Sequence, residues 1–198
     1  VRDFCNQEIA LTEFQAKYGL KENYQWKVGE QRRLSPQFDP TRIQSYSYHP
    51  FDRCLVYYQD NLVFRMRTNV MRHFLAGENV GLVTNKQIRT SHNAHSFVTN
   101  AITDFHILET ANANPYVFPL YLYPDTTKQT SAVQQGVQPN LDPKLVARLA
   151  EGLGLKYTFD SNDLWAHGQG KDLRPLDVLD HCYAVLHSPA YREKYKEF

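Results

Sequence analysis

Ser45-Tyr46-Ser47-Tyr48-His49-Pro50-Phe51-Asp52-Arg53-Cys54-Leu55-Val56-Tyr57-Tyr58, residues 45–58, sets the character of this chain. Its first four residues alternate polar with aromatic side chains and its last four are strong β-formers, so both ends read as strand. Leu62-Val63-Phe64 follows a tight Gln59-Asp60-Asn61 connection, which predicts a hairpin across that connection. Further short strands are expected at Val80-Gly81-Leu82-Val83-Thr84, Ser96-Phe97-Val98-Thr99 and Phe105-His106-Ile107-Leu108. Residues 116–123 are rich in β-formers, but Pro119 lacks a ladder donor and puts that strand at an edge or a bulge. Within this strand-rich region, residues 68–75 carry Val70, Met71, Phe74 and Leu75 at helical spacing and stop near Gly77.

Helices flank that centre. Residues 1–34 predict one short helix stopping at Gly19, then a loop. Residues 124–140 are polar with few apolar anchors and read as a loop or insertion. Asp142 is a good helix cap, Pro143 suits the first helical position, and Gly152 suits the position just past the end. A second helix is expected from about Pro175 to His187 on the stripe Leu176, Leu179, Tyr183 and Leu186, and Ser188-Pro189 caps a third. The fold class is α+β, with a strand-rich central mixed sheet and helices mainly in the C-terminal third. The parts are a lead-in of residues 1–42, a core of 43–123, the polar stretch 124–140 and a helical 141–198. They form one domain of 198 residues, and a start at Val1 fits a piece of a longer polypeptide.

Apolar residues make up 42% of the chain, enough for a core, and Phe51, Tyr57, Tyr58, Phe118 and Tyr121 are expected to belong to it. Cys5, Cys54 and Cys182 are odd in number and far apart, which speaks against a disulfide framework or zinc ribbon and fits a cytoplasmic setting. No apolar run approaches the ~18 residues a membrane span needs, so no membrane partner is expected.

Charge is unevenly placed. The chain holds 22 Lys+Arg against 21 Asp+Glu, yet residues 53–92 carry six cations and only two anions, Asp60 and Glu78. The cations are Arg53, Arg65, Arg67, Arg72, Lys86 and Arg89, interleaved with Asn69, Asn85, Gln87, Ser91, His92 and Asn93. Guanidinium and ammonium groups grip phosphates, whereas Asn, Gln and Arg read base edges. The plainer reading puts the same cations on solvated faces, with Asp52 pairing Arg53 and with Arg72 and His73 on an exposed helix side.

Catalytic patterns are weak. His92 and His95 have a spacing that can share a metal, but the segment reads as loop and strand without further ligands. Asn114-Pro115-Tyr116 is one proline short of the loop in which amino-methyltransferases hold a flipped adenine, and reads as a turn. Asp125 with Asp142-Pro143-Lys144 has a nuclease-like order, but Asp142 already serves as a helix cap. Glu151-Gly152-Leu153-Gly154 is too short for a nucleotide loop. No catalytic site, metal or cofactor is expected in this chain.

The order Tyr-x-Pro-Phe-Asp-Arg (from Tyr48), Tyr57-Tyr58, Arg67…Asn69-Val70-Met71-Arg72-His73 and Glu78-Asn79-Val80-Gly81-Leu82-Val83-Thr84-Asn85-Lys86-Gln87 resembles one known family. It is similar to the C-terminal target-recognition region of single-polypeptide Type I, and the similar Type IIG, restriction-modification enzymes. Phe97-Val98-Thr99, residues 116–122 and residues 183–192 extend the resemblance over nearly the whole chain. The family commonly has Arg at the position of Lys86.

The resemblance implies a parent that is an adenine-specific DNA methyltransferase and endonuclease. Its upstream domains would use S-adenosylmethionine, Mg2+ and, in many members, ATP. This chain would select the DNA sequence: Arg53, Arg65, Arg67, Arg72, Lys86 and Arg89 as a phosphate-gripping saddle, the amides, Ser91 and His92 as readers. Two other classes fit the same residues less well. One is a module that contacts no DNA and docks the methyltransferase to the nuclease or motor; the other is a free-standing metal-dependent enzyme.

Overall fold

The first 34 residues give three short helices where one was expected: α1 (Arg2–Cys5), α2 (Leu11–Tyr18) and α3 (Val28–Arg33). The helix α2 does stop at Gly19, which takes a left-handed φ of +61°. Phe4, Cys5, Phe14 and Val28 form the core here, and Arg32 is buried among them. That charge is tolerated because its guanidinium donates to the carbonyls of Phe4 (3.1 Å), Asn6 and Ile9 (2.8 Å) and lies over the Phe14 ring.

The structure, a computed structural model, describes residues 1–198 except 23, 25, 64, 86–95, 109–114, 126–135 and 196–198. The chain forms two compact units, residues 1–46 with 54–66, and residues 47–53 with 67–198. Strands β1 (Ile43–His49) and β2 (Asp52–Tyr57) are neighbours joined by Pro50-Phe51 alone, a connection short enough only for an antiparallel hairpin.

The hairpin therefore turns at Pro50-Phe51, not at residues 59–61. Leu62 N and Val63 N both donate to Gln59 O, closing a plain turn, and Leu62 packs onto the Phe4–Val28 core. Long-range bonds fix this alternative: Asn61 Nδ2 donates to Gln31 O and Ser35 Oγ, each at 3.0 Å, while Asn61 O accepts from Trp26 Nε1.

In the second unit, α4 (Thr68–Leu75) falls where the spacing placed it. The main sheet is antiparallel with order β4-β3-β6, built from β3 (Gly81–Asn85), β4 (Ser96–Thr99) and β6 (Pro115–Pro119). Strand β5 (Ile102–Thr103) instead lies beside β1, where Asp104 N donates to Ser47 O at 2.9 Å. The strand expected at residues 105–108 is a turn. The Asp104 carboxylate accepts from His106 N, a local bond that outcompetes the ladder.

Register sorts the main sheet into two faces. Val83, Phe97, Thr99 and Val117 share the face under α4; a Cβ added at Gly81 would strike Phe74 of that helix at 2.7 Å. Leu82, Val98, Tyr116 and Phe118 share the other face. As Pro119 requires, β6 is an edge strand and ends there; β7 (Tyr121–Leu122) then pairs with β8 (Gln138–Pro139), inside the stretch read as a polar loop.

Helix α5 (Pro143–Leu153) starts on the Asp142 cap, whose Oδ1 accepts from Lys144 N (2.8 Å) and Leu145 N (3.1 Å). It runs past Gly152 and ends at Gly154, where φ is +66°. The parallel pair β9 (Lys156–Tyr157) and β10 (Asp172–Leu173) follows, then α6 (Pro175–His187) and α7 (Pro189–Lys194), the last capped by Ser188. Leu176 and Leu179 of α6 close the core with Val80, Leu120 and Tyr121. The class is α+β, but helices build the N-terminal part as well as the C-terminal third.

Phe51 has φ +64° at the hairpin tip. Pro50 holds its own φ near −65°, so the pair follows a type II turn, whose second central position asks for Gly or Asn. Replacing Phe51 by Asn, at a position 95% exposed, is expected to stabilise the fold by roughly 0.5–1 kcal/mol in denaturant unfolding.

Candidate nucleic-acid interface

The segment that carries most of the expected readers is rooted at one end of the main sheet. Asn85, the last residue of β3, faces Pro115, the first of β6, and Thr84 faces Ser96, the first of β4. The chain therefore leaves the sheet at Asn85 and returns at Ser96 on the same end, and it comes back from residues 109–114 there too. Lys86, Gln87, Arg89, Ser91, His92 and Asn93 lie outside the described residues, as do His95 and Asn114.

Arg67 is anchored at this end. It precedes α4 in a left-handed conformation, φ +49°, which swings its side chain away from the helix path. Nη2 donates to Thr103 Oγ1 (2.7 Å) and Asp104 O (2.9 Å), Nη1 donates to Pro115 O (3.2 Å), and the guanidinium stacks over Phe105. One fork thus ties the end of β5 to the start of β6. With these donors turned to the protein, the geometry gives Arg67 the role of a brace. Asn69, in the first turn of α4, is exposed beside it.

Arg72 lies one turn along α4 and donates through Nη1 to Tyr123 O at 2.9 Å. The plainer reading placed His73 with it on a solvated helix side, but it is buried and its Nδ1 accepts from Tyr123 N at 2.9 Å. Burial, and then the neighbouring Arg72 charge, push the His73 imidazole below its ordinary pKa. The buried Asn79 completes this seam: its Nδ2 donates to His73 O and Tyr121 O, and its Oδ1 accepts from Val80 N and Tyr121 N.

Arg53 is exposed near the hairpin tip and its guanidinium donates to Asn100 Oδ1, just past β4. Arg65 is exposed in the first unit, with φ +49°. Arg53, Arg67 and Arg72 thus grip three different parts of the second unit. The aromatic expectations also divide. Tyr57, Tyr58 and Tyr121 are core, whereas Phe51 and Phe118 are exposed, at 95% and 49%. The Pro-Phe dipeptide between two strands was the available signal for Phe51, since proline there demands a turn.

The Asp142 carboxylate is committed to its helix cap, as expected. Among the described residues no group of three or more His, Cys, Asp or Glu side chains is placed to hold a metal ion, and no helix is long and apolar enough to cross a membrane.

Two expectations follow. Arg67→Ala should cost roughly 2–3 kcal/mol in denaturant unfolding, because it strands buried carbonyls, while Arg53→Gln should stay within about 0.5 kcal/mol. For His73, the unfolded imidazole takes its proton near 6.5 and the folded one only at lower pH. The unfolded state therefore binds more protons as pH falls below that value, and stability falls with it. The loss between pH 7 and 5.5 should be smaller in His73→Gln, measured as the shift of the denaturant midpoint.

Among solved structures, the chain is similar over 98% of its length to LlaBIII, an ATP-dependent Type ISP restriction-modification enzyme bound to DNA, with a TM-score of 0.55 and 13% identity. It is similar over the same share to DrdV in a cryo-electron-microscopy DNA complex, with a TM-score of 0.56 and 17% identity. The chain spans 12% and 17% of those two longer chains. No curated protein sequence is significantly similar to it. Residues 1–198 match the Type ISP C-terminal specificity domain, and the chain belongs to that family.

Proposed function

We propose that this chain is the target-recognition module of a restriction-modification enzyme. It reads double-stranded DNA and so directs adenine methylation and cleavage by domains upstream in the same polypeptide. The observation that carries this reading is membership of a specificity-domain family over the whole chain. The sheet end supports it: DNA reading needs side chains rooted on rigid elements, and the roots of residues 86–95 are paired strands braced by Arg67. Asn69, Asn85, Gln87, Ser91, His92 and Asn93 are the readers of base edges in this scheme. Arg53, Arg65, Arg72, Lys86 and Arg89 supply phosphate contacts, and Arg67 holds the platform.

S-adenosylmethionine, Mg2+ and ATP would serve the upstream domains. The setting is cytoplasmic, where the DNA to be marked resides. A docking role for part of the surface is favoured by one observation. The sheet face away from α4 exposes Val98 (45%), Tyr116 (49%) and Phe118 (49%), with the two rings stacked 6.4 Å apart. An uncharged aromatic face suits a protein neighbour, here an upstream domain, better than a phosphate backbone.

Exchanging residues 48–93 for those of a relative in the full polypeptide, followed by mapping of methylated adenines, tests the reading. The methylated sequence is expected to change to the donor's; an unchanged pattern would remove sequence reading from this segment. Within an active enzyme, Arg53→Gln should weaken binding to all sequences alike and lower the salt dependence of affinity by about one phosphate contact.

A further inference from the structure

The hairpin tip carries a feature that the recognition scheme above leaves unused. Phe51 is the most exposed large apolar side chain among the described residues, at 95%. Its backbone sits at φ +64°, where a bulky residue is strained and glycine or asparagine is at ease. The tip is nonetheless tightly held. Ser47 Oγ and Thr99 Oγ1 lie 3.1 Å apart, Asp104 N donates to Ser47 O, Arg53 donates to Asn100, and the Phe51 and Phe97 rings form a T-shaped pair with centroids 5.6 Å apart. A fully displayed ring on a rigid mount is what a wedge needs. A mobile tip would lose its gain to ordering, and a ring folded onto the protein would have nothing to insert.

The surroundings decide what it enters. His49 and the exposed Arg53 line the same pocket as Phe51, a pairing of cation and aromatic that suits stacked bases beside phosphates. A two-stranded ribbon is also a shape that a DNA groove admits. The exposed apolar patch of Val98, Tyr116 and Phe118, by contrast, has no cation on its sheet face among the described residues of β3, β4 and β6.

We propose that Phe51 is a DNA wedge: the β1–β2 tip enters the duplex and the Phe51 ring stacks into a base step, loosening it. This rests on the recognition role proposed above and adds to it a distortion of the DNA at a site apart from the base edges read by residues 69–93. Apolar wedges of this kind kink duplexes and make the flexibility of the step part of what is recognised.

The test uses the full polypeptide and duplexes of its own methylation sequence, with 2-aminopurine placed singly at each position other than the methylated adenine. Wild type is expected to raise the fluorescence at one step. Phe51→Ala should abolish that rise and weaken binding about tenfold, and Phe51→Trp should retain both. Phe51→Asn should behave like Phe51→Ala in binding even while it raises the unfolding midpoint, which separates loss of the ring from loss of the fold. Equal binding and an equal fluorescence rise in Phe51→Ala would overturn the wedge, as would lost methylation with DNA binding and unstacking intact, which points to a protein contact. If the exchange of residues 48–93 also leaves the methylated sequence unchanged, the recognition role falls with it. If the exchange redirects methylation while Phe51→Ala is silent, only the wedge falls.

Discussion

The second unit is organised around one buried amide. Asn79 makes four hydrogen bonds with its two side-chain atoms, to His73 O, Val80 N and both backbone groups of Tyr121. An unmet donor or acceptor at such depth costs roughly 1–3 kcal/mol, so the arrangement has few alternatives. It fixes the end of α4, the start of β3 and the point where the chain passes from β6 into β7. His73 and Arg72 extend the same seam to Tyr123, so β7 and the residue after it take from side chains the backbone bonds that β8 does not supply. At the other end of α4, Arg67 plays the matching part with Thr103, Asp104 and Pro115. Between these polar fastenings Met71 and Phe74 supply the apolar packing.

The consequence for recognition is geometric. Base readout tolerates little positional error, because a bidentate contact fails when its donor moves by a fraction of an ångström. The end of the sheet that bears Asn85 is immobilised from two sides, by ladder pairing with Pro115 and by the Arg67 fork. Cations are commonly counted as DNA contacts when they cluster in a sequence. Here one of them instead builds the platform from which others would work.

What the sequence disclosed follows the range of the interactions involved. The starts of α5 and α6, the cap at Ser188 and the edge position forced by Pro119 were legible because their causes lie within a few residues. The hairpin at residues 59–61 and the strand at 105–108 were misread because Asn61 and Asp104 bond in ways that local alternation does not encode. The bracing bonds of Arg67 were not legible because its partners lie 36 to 48 residues away and are mostly carbonyls, which carry no residue signature. Phe51 was assigned to the core on hydrophobicity alone; only the turn imposed by Pro50 could have argued otherwise. The side chains of residues 86–93 stay at the level of composition, as amides and cations between two well-placed strands.

The edge strand β6 has one last consequence. Two of its five residues, Pro115 and Pro119, have no amide hydrogen to offer, and Pro115 already gives its carbonyl to Arg67. A foreign strand arriving at that border would find a ladder with missing rungs, so the sheet resists lengthening by intermolecular pairing. The border of β6 is thereby protected from pairing with copies of the same strand through its own backbone.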